Sequence, residues 1–176
     1  MTPERYLHTG LVADPVFKLH DPGWGHPECP DRYDAVHGAL CRSGVIEHLQ
    51  QIPARPATAS ELELCHTKDY VELVEREVAM GLRTLSTGDA DICPKSYEVA
   101  LHAAGGVLNA VSAVCERRVK NAFCAVRPPG HHATADRGMG FCLFNNVALG
   151  ARHAQKSHGI ERVLIVDWDL HHGNGT

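Results

Sequence analysis

No basic stripe runs through this sequence. Lysine and arginine together number 17 against 21 aspartates and glutamates, for a formal net charge of -4. A protein that grips a phosphate backbone carries a basic excess, so direct nucleic-acid binding is not expected. The acidity is too mild to argue for cationic substrates. Cysteine pairing is missing too. The seven cysteines (Cys29, Cys41, Cys65, Cys93, Cys115, Cys124 and Cys142) form no CxxC and are odd in number. A disulfide framework is therefore not expected, and a reducing cytoplasm is. The opening MTPERYLHTGLVAD has no continuous apolar stretch of the signal-peptide kind. No run of 18 apolar residues occurs, so no membrane span is expected. There is no internal repeat, no low-complexity tract and no domain boundary, and 176 residues suit one domain.

What is present is a core-forming chain, 44% hydrophobic and 22% charged. At this length roughly 70% of the unfolded surface can be buried. Residues 7–13 (LHTGLVA) read as a first strand. Residues 14–32 are dense in Pro and Gly and read as an irregular surface loop, long enough to suggest a function. From Asp31 a helix is expected, with Tyr33, Val36, His37 and Leu40 on one face. Ser60 to Glu63 has capping-box spacing. Thr67 is a candidate cap for a helix striped by Tyr70, Val71, Val74 and Val78. Ser96 to Cys115 is the longest helical pattern, and its Gly105-Gly106 pair reads as close helix–sheet packing. Residues 122–126 form a short apolar strand. A helix is expected from Phe141 to Gly159. RVLIVDWD, ending at Asp169, reads as a strand apolar on both faces and covered on both. Strand–helix alternation argues for an α/β fold with a parallel sheet.

In open parallel sheets, ligands bind at the carboxyl ends of strands. Two segments here deliver polar groups at such an end. One brings His131 and His132, the other Asp167, Asp169, His171 and His172. Strand side chains alternate, so Asp167 and Asp169 share a face and Trp168 points into the packing layer. Two carboxylates on one face repel unless a cation or donor separates them. Asp169 and His171 supply two of the three protein ligands that catalytic zinc usually keeps. Imidazole favours zinc over Ca²⁺ or Mg²⁺. A second, monovalent cation has room at Asp167 and nearby carbonyls. The adjacent rings of His131 and His132 can divide the work, one as base and one stabilising negative charge. Each needs a partner on its far nitrogen, and Asp167 and Asn174 are natural ones.

Three stretches carry a family resemblance: Arg127-Pro-Pro-Gly-His-His-Ala133, Gly140-Phe-Cys-Leu-Phe-Asn-Asn-Val-Ala148 and Val166-Asp-Trp-Asp-Leu-His-His-Gly-Asn-Gly-Thr176. Together they resemble the zinc-dependent histone deacetylase superfamily, which includes acetylpolyamine amidohydrolases and acetoin-utilisation proteins. His26-Pro-Glu-Cys-Pro-Asp-Arg32 and Cys65-His-Thr-Lys-Asp-Tyr70 are similar to further family segments. The resemblance implies the arginase/deacetylase fold, an eight-stranded parallel sheet between helices. It implies zinc at Asp169 and His171, and a structural potassium at Asp167 and the carbonyls of Asp169 and His171. It makes His131 and His132 the tandem histidines beside the reacting water, backed by Asp167 and Asn174. Asn174 looks more like class II and bacterial members. Gly140 and Phe141 would line the acyl tunnel, and Asp91 or Asp89 would be the rim aspartate that holds substrate. Acetylated lysine in proteins, or a small acylated amine, is the implied substrate.

In that family a third zinc ligand, an aspartate, and an oxyanion-binding tyrosine lie further downstream than residue 176. Residues 1–176 are therefore expected to be the N-terminal part of one deacetylase domain, truncated after the strand that carries the first zinc ligands. Such a piece is expected to be inactive alone. An unpaired strand edge also predicts association into homo-oligomers. Two other readings stand beside the deacetylase. One is a non-catalytic binding module. The other is a binuclear arginase-like hydrolase, which would want more carboxylates beside the tandem histidines, where Ala133-Thr134-Ala135 offers none.

Overall fold

The computed structural model describes residues 8–176. Strand β1 (Thr9–Val12) lies between β2 (Gln50–Gln51) and β3 (Asn121–Cys124), all parallel. The register places Gly10 opposite Gln50 on one side and Val12 opposite Cys124 on the other. The expected start of the first strand, Leu7, lies outside the described residues. Helices flank the sheet: α1 (Asp31–Arg42), α2 (Ala59–Leu62), α3 (Lys68–Ala79), α4 (Ser96–Cys115) and α5 (Asn146–His158).

The spine is α4, which the helical periodicity predicted end to end. One face gives Val99, Ala103, Ala110 and Ala113 to a core with Val12, Phe17, Tyr33 and Ile52. The other gives Ala100, Ala104 and Leu108 to a second core with α3, Leu143, Phe144 and Leu149. The Gly pair does what the sequence predicted. A Cβ on Gly105 would run into the Arg55 carbonyl, and one on Gly106 would sit 2.8 Å from Val12 Cγ1. By length and composition alone α4 could cross a bilayer, but half of its most apolar stretch is buried against these neighbours.

Thr67 caps α3 by accepting from the Tyr70 N–H, as expected, and Tyr70, Val71, Val74 and Val78 are all buried. The first capping box, however, is formed by Thr58 and Glu61, two residues before the expected pair. Arg55 explains the choice. Its guanidinium reaches Glu61 Oε2 at 2.8 Å and holds the Glu61 carboxyl down at about 2. On α1 only Tyr33 is buried, and Val36 is exposed. Helix α5 begins at Asn146 rather than Phe141, because the Asn145 side chain caps it by accepting from the Ala148 N–H.

Two expectations are corrected. Residues 14–32 are a surface loop only in part. They contain a 3-10 turn (Pro15–Leu19) and bury Phe17, His20 and Glu28 almost completely. Glu28 lies against Arg127, which also donates to the Phe17 and His20 carbonyls at 2.6 and 2.9 Å. A buried guanidinium with several polar partners needs backbone wrapped around it, and this segment supplies that backbone. The second correction concerns 162–169, which form no strand. Among the described residues its backbone N–H groups join no ladder. A strand exists only through a partner, so the apolar side chains stay in water. Leu164 is 87% exposed, and Trp168, expected in a packing layer, is 89% exposed. A gap of about 380 Å³ separates this run from Val126, Pro129 and Val147.

Candidate active site

The loop after β3 leaves the sheet through Arg127-Pro128-Pro129-Gly130 and delivers His131 and His132. Their rings lie 4.1 Å apart, tilted by 47°. His131 Nδ1 donates to Asp167 Oδ2 at 2.9 Å, and His132 Nδ1 donates to Asn174 Oδ1 at 2.7 Å. Both sequence-predicted partners are thus in place. A carboxylate oxygen and an amide oxygen both only accept, so each Nδ1 carries the proton and each Nε2 is left free. Hydrogen bonding from His131, and then from the Asp169 N–H, holds the Asp167 carboxyl below its usual range.

Asp169 and His171 sit beside this pair. The His171 N–H donates to Asp169 Oδ2 at 2.8 Å, and His171 Nδ1 lies 3.1 Å from the same oxygen. These bonds hold the Asp169 carboxyl below its usual range. The His171 and His132 rings meet edge to face at 5.9 Å. One carboxylate and one imidazole form a zinc-type donor pair. Among the described residues no cluster of three metal-ligating side chains exists. The donors present therefore fit zinc in kind, as two of its usual three protein ligands.

Glycines set the close approaches. A Cβ on Gly173 would strike the Asp167 carboxylate and come within 3.1 Å of His131 Nδ1. A Cβ on Gly140, which sits at φ +56°, would run into the His132 ring. His131, His132, Gly140, Asp169, His171 and Asn174 line one cleft of about 550 Å³, with Pro27, Arg32, Asp89, Met139 and Phe141 on its walls. Phe141 holds a φ of +68°, rare for a bulky side chain. It is braced edge-on by His26 at 4.8 Å.

The two candidate rim aspartates separate here. Asp89 lines the cleft and accepts from the Gly140 N–H at 2.7 Å. Asp91 does not line it. It accepts from Thr84 Oγ1 at 2.6 Å and faces His26 Nε2 at 3.5 Å, so it props the residue that braces Phe141. Tyr33, Tyr70 and Tyr97 are absent from the cleft walls. The Tyr70 hydroxyl is spent on the Leu143 carbonyl at 2.7 Å. Cys142 is a buried packing thiol, pushed up to about 12 by burial.

Sequence reasoning missed the supports beneath the cleft. His20, beside the Arg127–Glu28 pair, hydrogen-bonds Ser96 Oγ at 2.8 Å. Burial first, then the Arg127 charge, push it down to about 4. His66 is buried between the Thr134 carbonyl and the Asn145 N–H. Glu28 and His66 both stood inside the quoted motif segments, and that was the available signal.

The histone deacetylase domain family matches residues 26–176. Histone deacetylase 5 of Arabidopsis thaliana is 39% identical over 98% of this chain and 28% of its own length. A polyamine deacetylase, HDAC10 of Danio rerio, is 36% identical over 95% of this chain and 26% of its own. A histone deacetylase-like amidohydrolase of Pseudomonas aeruginosa is 41% identical over 86% of this chain and 40% of its own. Among solved structures, the HDA15 HD domain superimposes with a TM-score of 0.90 at 38% identity, covering 96% of this chain and 49% of that one. The chain thus spans from 26% to 49% of the length of these relatives.

Proposed function

The chain belongs to the histone deacetylase family, and on that premise we propose that its cleft takes part in zinc-dependent hydrolysis of an N-acyl amide such as acetyl-lysine. One observation carries the reading. Both tandem histidines spend Nδ1 on a fixed acceptor and keep Nε2 free, directly beside an aspartate–histidine donor pair.

Asp169 and His171 would hold the zinc, which when bound lowers the pKa of its water and polarises the acyl carbonyl. The chain's own groups do the rest. Asn174 fixes the neutral His132 ring with a lone pair on Nε2, the nitrogen suited to take the water's proton. As the C–O bond forms and the C–N bond breaks, that proton passes to the leaving amine. Asp167 would orient His131 through Nδ1, so that its ring can balance negative charge on the acyl oxygen. Phe141 and Gly140 would flank the acyl chain, and Asp89 would hold substrate at the rim.

An acylated polyamine is the second substrate reading. It is favoured by the Asp89 carboxylate on the cleft wall, which suits a second ammonium. Comparing kcat/KM for an acetyl-lysine peptide with that for an acetylated polyamine decides between them.

The central test measures zinc content and turnover of an acetyl-lysine reporter in the longer protein that carries the downstream aspartate and tyrosine implied by the family. His132→Ala is expected to lower kcat by about 10²–10⁴-fold, and Asp169→Ala is expected to lose zinc. Unchanged turnover in both variants would remove these roles.

A further inference from the structure

His66 stands at the junction of α2 and α3, buried at 4% exposure and outside the cleft walls. Its two ring nitrogens face opposite demands. Nδ1 lies 2.9 Å from the Thr134 carbonyl, which only accepts. Nε2 lies 2.9 Å from the Asn145 N–H, which only donates. The neutral ring with the proton on Nδ1 is the one form that satisfies both. Desolvation by burial works in the same direction, pushing His66 down to about 4.

What these bonds connect gives His66 its interest. Thr134 lies two residues after His132. The next residue of the His66 segment, Thr67, donates its N–H to the Ala135 carbonyl at 2.7 Å. Asn145, held by His66, donates through Nδ2 to the Ala133 carbonyl and to Thr176 Oγ1, each at 3.2 Å. Gly175 N–H donates to the His131 carbonyl at 2.9 Å. The backbone that carries the tandem histidines is thus gripped from the α2–α3 junction, from the start of α5 and from the 173–176 turn. His66 joins the first two grips through one ring. The ring is also packed against Tyr70 and Phe144, at 5.6 and 5.3 Å.

We propose that His66 is a positioning residue for the tandem-histidine loop, acting as a neutral donor–acceptor bridge between Thr134 and Asn145 that sets where the His131 and His132 rings stand. Its effect on turnover rests on the deacetylase reading above; its effect on ring placement does not. His66→Phe keeps an aromatic ring against Tyr70 and Phe144 and removes both hydrogen bonds. His66→Gln keeps a donor and an acceptor on one side chain.

The test has two independent readouts. Nitrogen-15 NMR of the wild-type protein is expected to show His66 neutral with the proton on Nδ1. The His131 and His132 ring resonances should move in His66→Phe and return toward wild type in His66→Gln. Reporter turnover should fall about 100-fold in kcat for His66→Phe with KM nearly unchanged, as for a small misplacement of reacting groups, and His66→Gln should recover most of it. A proton on Nε2, or His131 and His132 resonances unmoved in His66→Phe, overturns the proposal even if no reporter is turned over. Moved and restored resonances without wild-type turnover, measured in the longer protein that carries the downstream aspartate and tyrosine, sustain the positioning role and reject the deacetylase reading instead. If His66→Phe fails to fold, the wild-type tautomer and the His66→Gln spectrum decide alone.

Discussion

The two segments that meet at the cleft are built in opposite ways. Residues 127–135 run over buried supports: Arg127 is locked onto Glu28, and the carbonyls of His131, Ala133, Thr134 and Ala135 each accept a hydrogen bond. Residues 163–172 have no ladder, and most of their side chains are in water. Side-chain bonds at Asp167 and Asp169, and one backbone bond from the Asn174 N–H to the His172 carbonyl, hold them in shape locally. The tandem histidines therefore stand on a preorganised frame, while Asp169 and His171 stand on a segment shaped largely by its own carboxylates. Precision at a site comes from the shell behind it, and here one side has that shell.

The largest effect expected from attacking the frame is at Glu28. Glu28→Gln leaves Arg127 buried and charged without its counter-ion and should cost about 3–5 kcal/mol in urea unfolding. A loss below about 1 kcal/mol would mean the frame is not held there. Acid comes next. His66 and His20 sit at about 4 in the fold against about 6.5 unfolded. The unfolded chain binds the protons first, so the stabilisation is complete above pH 6.5 and is lost as pH falls toward 4. Each histidine contributes roughly 3 kcal/mol by linkage. Urea midpoints from pH 7 to 4.5 measure the slope, and His66→Phe should flatten part of it. Gly140→Ala should cost about 1–2 kcal/mol from its positive φ, and reporter turnover should fall as the new methyl meets the His132 ring. The smallest effect belongs to the open side. Leu164→Ser should change stability by less than about 0.5 kcal/mol, and a large loss there would erase the contrast.

How much was legible in the sequence follows the same divide. Periodic features came through: α4 from end to end, the α3 stripe and its Thr67 cap. So did residues in dense polar motifs: Asp167 and Asn174 both reach the tandem histidines. The 162–169 strand did not appear. Its composition favours a strand, but pairing depends on a distant neighbour that no local pattern encodes. Glu28, His66 and Asn145 escaped because a single buried polar residue has no period. Between Asp89 and Asp91 the spacing was silent, and the Gly140 N–H made the difference.

Asn145 shows what such a frame implies for motion. Its backbone N–H, its side-chain nitrogen and its side-chain oxygen hold three different parts of the molecule: His66, the Ala133 carbonyl and the first turn of α5. A single amide is thus the common hinge pin of a helix and the tandem-histidine loop. On warming, fraying of that helix and scrambling of the imidazole pair should occur as one event at one temperature.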